Sequence, residues 1–416
     1  MTRQLDWRLI ALCLSRTGSG LVFTTFAASL PVLRVEWHLS AAMSGSIAGG
    51  FSLGYALSLV LFSCLADFFG PRRIFLGSLT AGAVLSLAFA ALARGYLSAI
   101  VLYSLLGFSL GGSYTTGLML LARLYPQKRW GANMGLFIAA TSLGYGLSLA
   151  VSGLVLPIGG YRMAFWLTCL GPTLGAISAW LALKGVRLPA PERRPRAAGL
   201  WRRVLANRPA RWLIAGYTLH NWELLGMWAW TPAFVAASLS VGGTGATSAV
   251  SGGALAGALF HFTGLSSSWL VGALSDRWGR ARVMIYMAAP SALCAFVIGW
   301  TLGGPWWLVL GLGLAFAFLA LGDSPVLSAA LSREVGEEGL GTAFGLRSLL
   351  GFGAGAVSPF AFGLCLDLLG GNGTPLAWGV AYGVLGLGGV GAWVCARRYA
   401  TLTRGRAQAG GGGGGA

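Results

Sequence analysis

The chain has 416 residues, of which 56% are hydrophobic and only 10% are charged. Because about a quarter of the residues in a soluble domain are charged, this composition excludes an ordinary soluble protein. The formal net charge is +18, but the basic residues lie between long apolar runs and so report on membrane topology. We therefore predict a lipid bilayer as the environment and no nucleic-acid partner.

Apolar runs of about 20 residues recur along the whole chain, and each is long enough to cross about 30 Å of hydrocarbon. The runs are continuous rather than alternating, which favours helices over a β-barrel. The prediction is an all-α polytopic membrane protein. Its twelve predicted spans lie near residues 8–32, 44–66, 74–93, 97–121, 132–156, 162–184, 211–237, 248–274, 283–302, 305–330, 341–366 and 376–396.

The distribution of basic residues predicts the orientation. If the N-terminus is cytoplasmic, 24 of the 29 lysines and arginines fall on the cytoplasmic side, 3 in outer loops and 2 inside spans. Under the positive-inside rule this distribution places both termini in the cytoplasm. The predicted location is the cell (inner) membrane.

A basic, proline-rich stretch divides the chain into two halves. Residues 1–184 and 211–398 are each predicted to form a six-helix bundle, and residues 185–210 a cytoplasmic linker that is too polar to bury a core. Within the linker, Trp201 to Leu205 is a candidate for a short helix on the membrane surface. The tail, residues 399–416, ends in a glycine run and is predicted to be disordered.

One charged turn occurs twice, as S-C-L-A-D-F-F-G-P-R-R from Ser63 and as G-A-L-S-D-R-W-G-R-A-R from Gly272. Two homologous halves of this kind are typical of membrane transporters. Three pairs of equivalent residues are each separated by 209 positions: Asp67 and Asp276, Gly70 and Gly279, Arg73 and Arg282.

With these turns, twelve spans and a long central loop, the sequence resembles the major facilitator superfamily. The span 7 stretch from Tyr217 to Trp230 (Y-T-L-H-N-W-E-L-L-G-M-W-A-W) is similar to its nitrate/nitrite porter branch. The resemblance implies two pseudo-symmetric six-helix bundles, a central cavity and alternating access. It also implies a gating role for the residues that match the charged turns: Asp67, Arg73, Asp276, Arg277 and Arg280.

The sequence departs from the family pattern at several positions. The first copy of the turn has Ser63, Phe68 and Pro71 where the family usually has a glycine and basic residues. Span 5 reads Gly144-Tyr145-Gly146 and lacks the Gly-Pro motif of drug/proton antiporters. These departures count against a drug antiporter and leave proton coupling open.

Arg16 lies well inside span 1. A charge at the centre of a bilayer costs at least about 2.5–3.5 kcal/mol, so it normally faces a cavity or a partner. We interpret Arg16 as an anion-binding residue. The alternative is an internal salt bridge to Glu223.

Span 7 carries His220 and Glu223, one helical turn apart, and Met227 and Trp230 continue the stripe. A buried carboxyl group beside a histidine is typical of a proton-accepting or substrate-binding site. The alternative is a packed His–Glu pair that orders span 7 against span 1. His261, in span 8, is a candidate for a hydrogen bond to the solute, and otherwise a core residue.

Asp323 and Arg347 lie at similar depth in the consecutive spans 10 and 11 and could form an ion pair, either structural or part of a cytoplasmic gate. The six cysteines form no C-x-x-C pair, and neither a metal site nor a cofactor is predicted. Small-x-x-x-small pairs, among them Gly45/Gly49, predict close helix packing.

The favoured function is secondary active transport of a small solute, most simply an organic or inorganic anion, by a monomer. Arg16 would hold the anion, and displacement of Glu223 from Arg16 would favour its protonation, as in a proton symporter. One alternative is efflux of amphipathic or cationic compounds; another is a non-transporting sensor or assembly factor. An enzyme is disfavoured, because the sequence has no nucleophile–base pair or phosphate loop.

Overall fold

The computed structural model describes residues 6–126, 129–186, 199–371 and 373–411. It confirms the predicted all-α fold of two six-helix bundles. The first half contains α1 (Trp7–Gly20), α2 (Thr25–Glu36), α3 (Ala41–Phe69), α4 (Pro71–Leu92), α5 (Tyr96–Leu124) and α6 (Trp130–Leu183). The second half contains α8 (Arg208–Val241), α9 (Ala246–Trp278), α10 (Arg280–Ile298), α11 (Trp306–Leu368) and α12 (Pro375–Gly411).

Two of these helices carry two predicted spans each. Helix α6 is 54 residues long and is interrupted at Gly160, whose φ of 63° and ψ of −168° are accessible almost only to glycine. Helix α11 is interrupted in the same way at Gly336. With α1 and α2 together forming span 1, the helices account for all twelve predicted crossings.

Two boundaries differ from the sequence-based prediction. Helix α12 continues to Gly411, so residues 399–411 are helical rather than disordered, and residues 412–416 lie outside the described part. Most of the predicted linker, residues 187–198, also lies outside it. The predicted short helix after the linker is present as α7 (Leu200–Ala206), and α8 begins at Arg208, where Asn207 accepts a hydrogen bond from the amide of Ala210 and caps the helix.

The repeated charged turn has the same backbone in both halves. Gly70 separates α3 from α4 with φ 83° and ψ 142°, and Gly279 separates α9 from α10 with φ 87° and ψ 132°. A positive φ of this size disfavours a side chain. The shared requirement for glycine explains why these positions match across the repeat.

The two halves are in contact at one end of the molecule, which we call the closed end. There α3 crosses the last part of α11 with the backbones touching: a Cβ at Gly45 would lie 2.8 Å from the Cα of Phe360. Helices α6 and α9 also meet, and the hydroxyl of Ser251 donates to the carbonyl oxygen of Gly153 at 2.6 Å.

At the opposite end, which carries both charged turns, the same helices are packed less tightly. A Cβ at Gly135 on α6, or at Gly345 on α11, would meet no heavy atom within 4 Å. The two halves therefore approach each other closely at the closed end and leave more space between them at the opposite end.

Candidate functional site

Aromatic side chains from both halves form a roof over the central space, just beneath the closed end. Phe23 stacks on Tyr145 with ring centroids 4.0 Å apart, and Trp228 of the second half lies 5.9 Å from Phe23. On the neighbouring face, the ring of Tyr55 lies 5.2 Å from that of Phe352. Rings from opposite halves thus contact one another directly above Arg16.

Arg16 is held below this roof by neutral groups of the first half. It is 4% exposed, and its Nε donates to Thr141 Oγ1 at 2.7 Å, its Nη1 to Ser113 Oγ at 3.0 Å, and its Nη2 to the hydroxyl of Tyr55 at 2.8 Å. The ring of Tyr114 lies 5.1 Å from the guanidinium carbon. Among the described residues, no carboxylate pairs with this buried cation.

The hydrogen bonds of Arg16 leave part of its donor capacity unused. A guanidinium carries five N–H groups, and the three bonds above leave one N–H on each terminal nitrogen. Two N–H groups on neighbouring nitrogens match the two oxygens of a carboxylate or a similar oxyanion. The site therefore offers a positioned cation that lacks a counter-ion from the described residues.

Glu223 does not provide that counter-ion, so the predicted alternative pair of Arg16 and Glu223 is not formed. Glu223 is buried, and its Oε1 accepts a hydrogen bond from Ser291 of α10 at 3.0 Å. Its Oε2 faces α12, where a Cβ at Gly389 would lie 2.8 Å away. The carboxyl group points into the second half, away from the first.

His220 lies beside Asp323 rather than beside Glu223, the neighbour predicted from the sequence. Its Nδ1 lies 3.0 Å from Asp323 Oδ1 on α11, and both side chains are buried. Three residues along an α-helix turn the side chain by about 60° from its starting direction. This rotation is enough to aim His220 at α11 and Glu223 at α10, so the two side chains do not pair with each other.

Arg347 consequently does not form the predicted ion pair with Asp323. Its Nη1 donates to Ser328 Oγ at 2.5 Å, and its guanidinium carbon lies 3.9 Å from the ring centre of Tyr217 and 4.5 Å from that of Phe344. Asp323 and Arg347 have similar depth, as predicted. They face different neighbours around the helix axis.

The other predicted binding residues lie either in the aromatic roof or in the core of the second half. The ring of His261 lies 4.9 Å from Trp228 and 6.1 Å from Tyr145, so His261 belongs to the roof. Met227 lines a small cavity together with His261. Trp230 is fully buried, donates from Nε1 to the carbonyl oxygen of Pro359 at 2.9 Å, and is therefore a core residue of the second half.

The predicted gating residues lie on the turns at the end opposite the roof. Arg280 Nη2 lies 3.6 Å from Asp276 Oδ1, and its Nη1 donates to the carbonyl oxygen of Ala329 at 2.9 Å. These contacts fasten the second turn to its own half. The gating role of Asp67, Arg73, Asp276, Arg277 and Arg280 stays a prediction.

The residues that hold Arg16 were not predicted from the sequence. Tyr55, Ser113 and Thr141 lie on three different helices and come together only through packing. Hydroxyl side chains are frequent in membrane helices, where they usually bond to their own backbone. A lone serine or threonine in a span therefore gives no signal before the fold is known.

Comparisons with known proteins agree with the fold. A family model described as Major Facilitator Superfamily matches residues 12–359. A bacterial homologue of the human lysosomal transporter Spinster, crystallised inward-facing and unoccupied, aligns with a TM-score of 0.72 at 17% identity and covers 96% of this chain and 97% of its own. The nucleoside transporter NupG aligns with a TM-score of 0.75 at 14% identity and covers 95% of this chain and 100% of its own.

Two relatives are named for small anions. A probable sulfoacetate transporter of Cupriavidus necator is 26% identical over 393 residues, which is 86% of this chain and 86% of that protein. A gallate transporter of Pseudomonas putida is 26% identical over 192 residues, which is 46% of this chain and 42% of that protein. With its family match, its twelve crossings and its repeated turn, the chain belongs to the major facilitator superfamily and is a membrane-embedded transporter of small solutes, not an enzyme.

Proposed function

We propose that this protein is a secondary transporter of a small organic anion, bound at Arg16 and moved by alternating access. The observation that carries the proposal is the buried guanidinium of Arg16, which has three neutral hydrogen-bond partners and no carboxylate partner among the described residues. An uncompensated charge at this depth is costly. A bound anion would offset that cost and would use the two N–H groups that remain.

The relatives support an organic anion as the solute. One is named for sulfoacetate and another for gallate, and each of these compounds carries an acidic group that a guanidinium can bind through two oxygens. A cationic solute, as in the efflux alternative, would meet the positive charge of Arg16 directly beneath the roof. No observation favours that alternative.

The distribution of basic residues supports an orientation in which the closed end faces the outside of the cell. The charged turns and both termini then lie in the cytoplasm, and the central space is open to the cytoplasm in this conformation. Transport would require the halves to rock, so that the closed end opens while the turns approach each other. The membrane is the cell (inner) membrane in this proposal, and the protein acts as a monomer.

Arg16→Gln is the direct test of the anion site. Glutamine keeps hydrogen-bonding capacity but removes the charge, so we expect binding of anions to fall by at least about 100-fold, the loss of a buried charge-assisted contact worth about 3 kcal/mol. Thermal stabilisation of the purified protein by sulfoacetate and gallate is the measurement. The control is Arg16→Lys, which keeps the positive charge but lacks the planar guanidinium donors, and it should retain partial binding.

Unchanged anion binding in Arg16→Gln would contradict the anion site. If Arg16→Gln folds, elutes as the same species and binds both anions as the wild type does, Arg16 is structural. Stabilisation of the wild type only by neutral or cationic compounds would contradict the choice of an anion.

Glu223 is the proposed proton-binding residue. It is buried and accepts a hydrogen bond from Ser291, and among the described residues no cation pairs with it. Glu223→Gln fixes the side chain in a neutral form similar to the protonated acid. We expect it to abolish uphill accumulation driven by a pH gradient, while exchange of labelled anion across the membrane continues.

Proteoliposomes with an imposed pH gradient provide the measurement for Glu223. Ser291→Ala is the matched control, since it removes the hydroxyl partner and keeps the carboxyl group. Accumulation that persists in Glu223→Gln would show that this carboxyl group does not carry the coupling proton.

A further inference from the structure

A second buried guanidinium lies in the opposite half. Arg347 is 7% exposed and, like Arg16, it has no carboxylate partner among the described residues. Asp323, the carboxylate at similar depth on the same long helix, lies beside His220 instead, with 3.0 Å between Asp323 Oδ1 and His220 Nδ1. The Nε of Arg347 is buried and has no hydrogen-bond partner.

Arg16 and Arg347 lie at the same depth. Arg16 is about nine residues from the start of α1, and Arg347 about eight residues beyond Gly339, where the second span of α11 begins. Both helical segments start at the end that carries the charged turns. At 1.5 Å per residue each arginine is therefore about 12–14 Å from that end.

The side chains between the two arginines connect them across the halves. Tyr114, partly exposed, has electrostatic interactions with both Arg16 and Arg347. The hydroxyl of Tyr55 accepts a hydrogen bond from Arg16 in its own half. The ring of Tyr55 lies 5.2 Å from that of Phe352, which lies five residues beyond Arg347 on α11. The ring of Tyr217 covers Arg347, with its centre 3.9 Å from the guanidinium carbon.

The contact between Tyr55 and Phe352 thus joins a hydrogen-bond partner of Arg16 to the helix that carries Arg347, where the two halves meet. A solute with one acidic group can compensate only one of the two guanidinium groups. A solute with two acidic groups on a short carbon skeleton can compensate both at once, and each group would meet a planar donor set suited to an oxyanion.

We propose that Arg347 is the second anion-binding residue of the central site and that the transported solute is a small dianion, one acidic group bound by Arg16 and the other by Arg347. This inference rests on the proposed anion site at Arg16 and adds the substrate class. It replaces the predicted role of Arg347 as the partner of Asp323.

A bridging dianion would also link binding to conformational change. A ligand shifts a conformational equilibrium only when it binds one state better than the other. A dianion that contacts both halves is bound best when the halves are close together. A monoanion bound at Arg16 alone contacts one half and lacks this preference.

The test compares three matched anions on the purified protein in lipid nanodiscs. Sulfoacetate carries two acidic groups, and acetate and methanesulfonate each carry one of them. Binding is measured by isothermal calorimetry on the wild type, Arg347→Gln, Arg347→Lys and Arg16→Gln. For the wild type we expect sulfoacetate to bind at least about tenfold more tightly than either monoanion, the effect of one additional charge-assisted contact.

Arg347→Gln is expected to lower the affinity for sulfoacetate to that for the two monoanions, whereas Arg16→Gln should weaken the binding of all three. Arg347→Lys should restore part of the preference, and Ser328→Ala, which removes only the serine partner of Arg347, should keep it. These control variants distinguish a lost contact to the solute from lost packing against Tyr217.

Two results would overturn the proposal. If Arg347→Gln keeps the wild-type ratio of dianion to monoanion affinity while Arg16→Gln loses binding, the anion site stands and the dianion inference fails. If the wild type binds the three anions equally well, the second arginine does not contact the solute. Failure of Arg16→Gln to affect any anion would instead contradict the proposed function itself.

Discussion

Replacing Gly45 with valine is expected to prevent the closed end from forming and to reduce transport to the background level. Gly45 lies where α3 crosses α11, and a Cβ there would collide with the carbonyl oxygen of Pro359 and lie 2.8 Å from the Cα of Phe360. These are backbone atoms of a helix, which cannot turn aside as the end of a side chain can. A β-branched side chain therefore forces the two halves apart.

The same crossing contains two more close approaches. A Cβ at Gly49 would collide with the carbonyl oxygen of Ala356, and one at Gly363 with that of Ala41. Three glycines from both helices thus allow the halves to meet backbone to backbone. Because the contact joins the two halves, its loss should change the conformational equilibrium more than the folding of either half.

Accessibility of a single cysteine at position 48 is the measurement. Ala48 lines a small cavity between the roof and the closed end, together with Phe51 and Trp228. On a background without the six native cysteines, Ala48→Cys should be protected from a membrane-impermeant maleimide added outside, and Gly45→Val should make it reactive. Gly77→Val is the control, since a Cβ at Gly77 meets no heavy atom within 4 Å.

Continued protection of position 48 in Gly45→Val, together with normal transport, would contradict this account of the closed end. Transport lost without a change in labelling would indicate a defect elsewhere in the cycle. The labelling experiment also tests the orientation, because the predicted pattern requires the closed end to face the outside.

The sequence predicted the features that depend on composition and spacing. Apolar runs predicted the crossings, and the 209-residue repeat predicted equivalent turns, which Gly70 and Gly279 confirm with nearly identical φ and ψ angles. The cost of a charge inside a span singled out Arg16, and its burial without a carboxylate partner among the described residues agrees with that reasoning.

The pairings inside the membrane were not predictable in the same way. Depth along a span can be counted from the sequence, but the direction of a side chain around the helix axis depends on which helix packs against it. Depth and charge made Glu223 the alternative partner for Arg16, yet Glu223 faces Ser291 of α10. Asp323 faces His220 rather than Arg347 for the same reason.

The spacing of glycine pairs also predicts only part of the helix packing. The Gly45/Gly49 spacing predicted close packing, and the structure confirms it. The sequence could not say that the partner helix belongs to the other half. A small-x-x-x-small pattern describes one helix surface only, so it does not distinguish packing within a bundle from a contact that must open during transport.

Asp367→Asn is expected to weaken the closed end without blocking it. Asp367, near the end of α11, accepts hydrogen bonds from the backbone amides of Ala41 and Ala42 at 2.8 Å each. These amides are at the N-terminus of α3, in the other half. The carboxylate therefore caps a helix across the interface, where the free N–H groups and the helix dipole favour a negative charge.

Arg34 adds a second attraction, since it interacts electrostatically with Asp367 from α2. Asp367 is exposed, so solvent screens the interaction, and we expect its charge to favour the closed state by about 1 kcal/mol, or about a fivefold shift in the equilibrium. Asparagine keeps one acceptor oxygen and loses the charge. The labelling rate of Ala48→Cys should rise about fivefold, whereas Gly45→Val should expose this cysteine fully.

Ser40→Ala is the control for Asp367→Asn, because Ser40 caps the same helix terminus from within its own half. Ser40 accepts a hydrogen bond from the amide of Met43 at 3.1 Å and so caps the same α3 terminus from within the first half. Its removal should lower stability and leave the labelling rate at position 48 unchanged. Equal labelling in Asp367→Asn and the wild type would mean that the backbone contact of α3 with α11 alone determines closure, and that the carboxylate only stabilises the N-terminus of α3.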